Sequence, residues 1–484
     1  MNVVIIGSGF AGIAAAIELR AHGIRDITIL ERADTLGGVW RENTYPGSGC
    51  DVPAPYYSLS YAMNPYSSNR YTVQSEILAY LNRIADRFGI RELIEFGTEV
   101  TTARFDEPCG EWVIGTAAGS EYRARVLVPA VGQLSRPAMP RIPGMAEFTG
   151  HAFHSARWDH DFPLRGARIA VIGTGASAIQ FVPRLQPLAQ RLTVFQRSAP
   201  YILPKPDTGY GPVRRALFRF LPQTLGLERL LFWSAGELST RALTGDERVA
   251  SVFRGITERF RAKHITDPVL RAKLTPDYPI GCKRVLFSND YYPAMTKPNV
   301  ALETTPIDSI TPSGVRTEDG AVHEADVLVY GTGFSATDFL APIAISGRGG
   351  HPLCEEWRSG AHAYLGMTVP GFPNMFCMYG PNTNLGSGSV LYMVERQARY
   401  LAKAATFLAR HPGADLEVDP AVERRYDEEI QSRLAGSAWS GCTSWYRQAD
   451  GRVPTNWPGN VSEYHRRTKR FDLNDYRIGA LARA

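Results

Sequence analysis

No stretch of the 484-residue sequence is apolar for eighteen residues or more, so no segment is expected to span a membrane. Cysteine is scarce. The six residues Cys50, Cys109, Cys282, Cys354, Cys377 and Cys442 show neither CxxC nor metal-ligand spacing. That pattern excludes a disulfide framework and predicts reduced thiols and no metal site. A strong charge bias is missing too: the net charge of +5 is too small to make nucleic acid the main partner. The apolar opening lacks a basic leader and is broken by glycines, which argues against a signal peptide. The expected location is therefore the cytoplasm, with no membrane partner. The ordinary balance of 44% hydrophobic and 21% charged residues fits a globular protein, long enough for two or three domains.

What is present begins at once. Val3-Val4-Ile5-Ile6 is a β-branched run that predicts a buried parallel strand. Gly7-Ser8-Gly9-Phe10-Ala11-Gly12 follows, then helical spacing through Leu19. A strand, GxGxxG and a helix in this order bind a dinucleotide. Gly7 allows the turn and Gly9 lets backbone approach a pyrophosphate. Gly12 lets the helix pack on the strand, with phosphate at the helix N-terminus. The next strand, Ile27 to Leu30, ends in Glu31-Arg32, where Glu31 is placed to hold a ribose 2′-hydroxyl.

A Gly- and Pro-rich loop follows, with Gly38, Val39 and Trp40 at its start and Tyr45-Pro46-Gly47 and Asp51 further on. Its composition suits wrapping a ligand. Tyr57, Val100 in the strand-like piece Glu99 to Phe105, and Gly132-Gln133 after the strand Arg125 to Val128 are further candidates at the first nucleotide. Helices are expected over Ser75 to Phe88 and Val390 to Arg410, and a strand over Phe372 to Tyr379.

The motif recurs. Arg168 to Ile172 is a strand leading into Gly173-Thr174-Gly175-Ala176-Ser177-Ala178, and Ile179 to Leu185 continues as a helix that carries Gln180. Alanine is tolerated at the third glycine position. Glu31 lies 24 positions after Gly7, and Arg197 lies 24 positions after Gly173. An acid in this slot accepts from a 2′-hydroxyl, whereas an arginine suits a 2′-phosphate. The pair predicts FAD at the first site and NADPH at the second, with Ser198 and Lys283 beside Arg197.

Residues 205–284 break the αβ rhythm with helical stretches Leu217 to Ala235 and Val249 to Lys263, and carry 15 Lys/Arg against 8 Asp/Glu. The basic face reads as solvated surface, with an acidic protein partner as the alternative. The fold class is α/β, with two Rossmann-like dinucleotide-binding domains and a helical insertion. The expected divisions are 1–140 and 326–484 for FAD (the latter including a C-terminal closing segment), 141–204 and 283–325 for NADPH, and 205–282 for the insertion.

Gly38-x-Trp40-xxxx-Tyr45-Pro46-Gly47-xxx-Asp51 resembles one fingerprint of the flavin-dependent Baeyer–Villiger monooxygenases. Phe148-x-Gly150-xxx-His154-xxx-Trp158-Asp159, just before the second glycine-rich motif, resembles the other. Lys283-Arg284 followed by Tyr291-Tyr292 is similar to the family's nicotinamide-side segment, and Gly331 to Phe334 and Ser444 to Tyr446 also match. The resemblance implies that FAD reduced by NADPH activates O₂ as a C4a-peroxyflavin, which attacks a ketone to give an ester or lactone. Arg284 would then be the active-site cation and Asp51 its orienting partner. His154 is read as a linker between the nucleotide motifs. Two departures, Val39 where threonine is common and Ser387 where histidine is frequent, leave the substrate class open. The alternatives are a flavin monooxygenase acting on amine nitrogen or sulfide sulfur, and an inactive nucleotide-binding redox sensor. A CxxxxC pair is missing near the first helix, which excludes a pyridine nucleotide–disulfide reductase.

Overall fold

A computed structural model describes residues 1–480. Two parallel sheets carry the architecture. The first has the order Ile94–Glu95, Ile27–Leu30, Val3–Ile6, Val126–Pro129, with Val3 beside both Ile27 and Val126. All four residues of Val3–Ile6 are buried, as expected for a strand covered on both faces. The helix Phe10–Ala21 is rich in alanine, so another helix can approach it closely. Val390–Arg410 does so, and Arg399 Nε donates to Glu18 Oε1 at 3.0 Å.

The second sheet runs Val300–Glu303, Arg191–Phe195, Arg168–Ile172, Val327–Tyr330, His151–His154, also parallel. Val327–Tyr330 lies between two strands of this sheet, so the division expected at 326 moves beyond Tyr330. The second fingerprint packs here. A Cβ on Gly150 would meet Asp326 O at 2.5 Å, and buried Trp158 stands edge-on to Phe153. The antiparallel strands Val100–Asp106, Glu111–Thr116 and Glu121–Ala124 form a separate sheet with Ala344–Ser346 on its edge.

The insertion contains helices Pro212–Phe220, Pro222–Leu243, Glu247–His264 and Pro268–Lys273. One expected helix, Leu217 to Ala235, is thus two. Pro222 cannot continue the preceding helix but starts the next one well. Asp246 caps Glu247–His264 by accepting from the N–H groups of Arg248 and Val249.

Two further expectations fail. Phe372 to Tyr379 is not a strand. Asn374 and Tyr379 have φ of 54° and 56°, which interrupts regular pairing. The segment still follows the first sheet as an irregular edge, through Phe376 N to Leu127 O at 2.9 Å and Met378 N to Pro129 O at 2.8 Å. The cysteines are not all thiols either. Cys282 and Cys442, 160 residues apart, form a disulfide, while Cys50, Cys109, Cys354 and Cys377 are free. Local spacing carries no sign of so distant a pair. The bond ties the loop before Lys283-Arg284 to the C-terminal segment, where Trp439 and Trp457 are buried. Among the described residues no helix is long and apolar enough to cross a membrane, and no His/Cys/Asp/Glu group forms a metal cluster.

Candidate active site

The two glycine-rich turns open into one continuous cavity of about 1450 Å³. Single-ligand pockets span roughly 300–1,000 Å³, so there is room for more than one ligand. Every candidate residue named above for cofactor or chemistry lines this cavity except Gly12 and Ala178. Those two pack helix against strand. A Cβ on Gly12 would lie 2.0 Å from Gly7 O, and Ala178 is fully buried.

At the first turn Gly7 has φ of 103°, and a Cβ there would meet Ala130 O at 2.9 Å. The helix Phe10–Ala21 starts without a side-chain cap, leaving its first N–H groups for an anion. Gly9 and Gly38 face each other closely: a Cβ on Gly38 would come within 3.2 Å of Gly9 Cα. Glu31 Oε2 accepts from Ser8 N at 2.9 Å and from Ser8 Oγ at 2.7 Å. Its Oε1 accepts from Ala33 N and Arg41 Nη1, both at 3.0 Å. Burial alone would raise the pKa of this carboxyl; the Ser8 and Ala33 hydrogen bonds and Arg41 outweigh it and hold the pKa below the ordinary value. With all four acceptor positions engaged, a ribose hydroxyl reaches Glu31 by displacing one of these donors. Arg32 donates to Glu42 at 2.6 Å, and Trp40 Nε1 donates to Tyr57 OH at 3.0 Å. Gln133 gives its amide N–H to the carbonyls of Tyr379 and Gly380, while its Oε1 is buried without a protein partner.

The second turn is built differently. A Cβ on Gly175 would meet nothing within 4 Å. Arg197 is exposed and, among the described residues, has no ion-pair partner. Lys283 Nζ donates to Ser198 Oγ at 2.6 Å, and Thr174 Oγ1 donates to Ser198 O at 3.2 Å. Burial and the nearby Arg197 charge push the Lys283 pKa down, outweighing Asp277. An anion between these two cations would relieve their repulsion.

The long loop joins the two turns. Tyr45 OH donates to Gln180 Oε1 at 2.9 Å, and Gln180 Nε2 donates to Gly49 O at 3.1 Å. A Cβ on Gly47, whose φ is 84°, would lie 2.7 Å from Gln180 O. The loop thereby delivers Asp51 to the junction. Arg284 Nη2 is 3.6 Å from Asp51 Oδ2, and the Asp51 side chain is only 5% exposed. The Arg284 side chain is 41% open and lines the cavity. Desolvation opposes its charge, but Asp51 more than compensates and raises its pKa. The group remains a cation throughout the working pH range.

Lys205 is a further charged neighbour of Asp51 that the sequence does not mark. Its Nζ lies 3.6 Å from Asp51 Oδ1, an oxygen with no hydrogen-bond partner, so Asp51 sits between two cations. No local pattern around Lys205 marks that role. Burial pushes the Cys50 thiol up to about 12, which removes it as a nucleophile. His154 is buried outside the cavity, its Nδ1 accepting from Ala156 N at 3.1 Å, and desolvation lowers its pKa. Ser387 and Ser239 share a 2.6 Å hydrogen bond across the cavity wall. Trp445 and Tyr446 also line the cavity, and burial pushes Tyr446 up to about 12.

The model of the pyridine nucleotide-disulphide oxidoreductase family matches residues 4–210, which hold both glycine-rich turns. A Baeyer-Villiger monooxygenase of Streptomyces coelicolor is 44% identical over 481 residues, covering 99% of this chain and 92% of that protein. Another from Pseudomonas aeruginosa is 41% identical over 480 residues, covering 99% and 91%. Among solved structures, a complex of OTEMO with FAD and NADP matches with a TM-score of 0.89 and 27% identity, over 99% of both chains. At these identities, over nearly the full length of both partners, the chain belongs to the Baeyer–Villiger monooxygenase family.

Proposed function

We propose that this chain is an FAD- and NADPH-dependent enzyme that inserts one oxygen atom of O₂ beside a ketone carbonyl, giving an ester or lactone. The second oxygen atom leaves as water, with NADPH and a proton supplying the reducing equivalents. The observation that carries the reading is the buried Asp51 beside the Arg284 cation, at the meeting point of the two glycine-rich turns. The cavity also fits the cofactors. Glycine faces leave a cradle at Gly9 and Gly38, and the buried Gln133 Oε1 and Asp51 Oδ1 lack protein hydrogen-bond partners.

FAD, when bound and reduced by NADPH, supplies the oxygen-transfer chemistry. The chain supplies position and charge. Residues 1–140 with the C-terminal part hold FAD: the Gly9 backbone at its diphosphate, Glu31 and Arg32 at its adenosine, and Trp40, Tyr57 and Gln133 further along. Residues 141–204 and 283–330 hold NADPH, with Thr174 to Gln180 at the diphosphate and Arg197, Ser198 and Lys283 at the 2′-phosphate. Arg284 stabilises negative charge that develops on the ketone oxygen. Asp51 orients Arg284, and Lys205 steadies Asp51 from its other side.

The test is a panel of linear and cyclic ketones, small and bulky, with products identified by mass. Ester or lactone sixteen mass units above the ketone, formed with NADPH consumption, is the expected outcome. Sulfoxide or N-oxide formation from matched heteroatom substrates, with ketones untouched, would replace this reading with heteroatom oxygenation.

A further inference from the structure

We propose that helices Pro212–Phe220 and Pro222–Leu243 form a surface that docks on an anionic lipid bilayer without crossing it. Leu227, Leu230, Leu231 and Leu238 recur along one side of the longer helix, and each is more than half exposed. The opposite side is already used: Leu225 and Thr240 are buried, and Phe232, Gly236 and Ser239 line the cavity. The helix is therefore apolar on two sides, and one of them has no protein over it. An apolar stripe of this extent marks an interaction surface. The turn between the helices adds Phe220, 74% exposed, and Leu221; the shorter helix adds Val213 and Leu217.

Charge selects the partner. Arg215 and Arg219, four residues apart, are exposed and have no ion-pair partner among the described residues. Residues 212–243 contain only two acids, and both are engaged. Glu228 is buried, taking bonds from Tyr210 OH at 2.9 Å and Arg214 at 3.0 Å. Glu237 accepts from Val461 N and Ser462 N. The rim of the apolar stripe thus has one sign. In an isologous dimer the patch would meet its own positive rim, whereas an anionic bilayer complements both the stripe and the arginines. No helix among the described residues is apolar enough to span, so contact lies in the membrane plane. This departs from the sequence-based expectation of no membrane partner, and it stands independently of the reaction proposed above.

The test is co-sedimentation of the flavin-loaded full chain with vesicles of phosphatidylcholine alone, or with about a third phosphatidylglycerol. The chain should pellet with the anionic vesicles, less so as salt rises. Leu230→Asp/Leu231→Asp, and separately Phe220→Asp, should lower partitioning by about tenfold or more. Arg215→Ala/Arg219→Ala should remove the preference for anionic lipid. All variants should keep bound flavin and the wild-type melting midpoint. A chain that stays in the supernatant with both vesicles overturns the proposal. So does pelleting that these substitutions leave unchanged. A concentration-dependent dimer dissociated by Leu230→Asp/Leu231→Asp, without vesicle binding, would assign the surface to a second copy. Capture by an acidic peptide alone would assign it to a protein partner.

Discussion

Glu31 and Arg197 close matching turns at the same spacing, yet their surroundings are opposite. Glu31 is buried, and its carboxylate is filled by Ser8, Ala33 and Arg41. Arg197 is exposed, with Lys283 as its near neighbour and no carboxylate paired to it. The glycines differ likewise, since a Cβ on Gly9 would touch Gly38 Cα at 3.7 Å while one on Gly175 would face open space. The first site is thus built into the core of its fold, and the second is an open cradle in which two cations outnumber the single nearby acid, Asp277. Such a contrast suits a cofactor that stays and a coenzyme that comes and goes.

The largest effect should come from placing the same substitution in both turns. Gly9→Val fills the space beside Gly38 and blocks the diphosphate path, so the protein should be colourless and poorly folded. Gly175→Val should remain yellow and folded but lose NADPH affinity. A Gly9→Val protein carrying stoichiometric flavin in its absorption spectrum would erase the distinction.

Next in size is coenzyme choice. Arg197→Ala should raise KM for NADPH about tenfold or more while leaving that for NADH nearly unchanged. It should also raise the Lys283 pKa, because a repelling charge is gone. Equal losses with both coenzymes, in steady-state kinetics, would mean that Arg197 does not read the phosphate.

The smallest effect is on acid stability. The Glu31 pKa lies below its ordinary 4.5 in the folded chain. Its contribution is therefore fully present above that unfolded value and is lost as pH falls through the lower folded value. Thermal melts from about pH 6 down to about pH 3 should show Glu31→Gln flattening the acid limb. Arg197→Ala should leave that limb unchanged.

Both turns were legible in the sequence because their signals are local. β-branched runs, spaced glycines and a closing residue all fall within about thirty residues. The long helix Val390–Arg410 was legible from its periodicity. The Asp51–Arg284 pair depended on resemblance, because a long loop brings distant residues together. Lys205 and the Cys282–Cys442 bond have no local signature and depend on tertiary placement. Phe372 to Tyr379 has strand-like composition, but Asn374 and Tyr379 turn its backbone aside. The break before Pro222 was written in the sequence and overridden by an apolar pattern that runs across it.

The central claim is that Arg284 provides the charge for oxygen insertion, and one variant tests it. Arg284→Ala should keep bound FAD and detectable flavin reduction by NADPH, while ester formation from ketones falls by about 10²–10³. The NADPH consumed should then be recovered as hydrogen peroxide, quantified alongside the product. An Arg284→Ala enzyme that converts ketones to esters at near wild-type rate, without excess peroxide, would contradict the account.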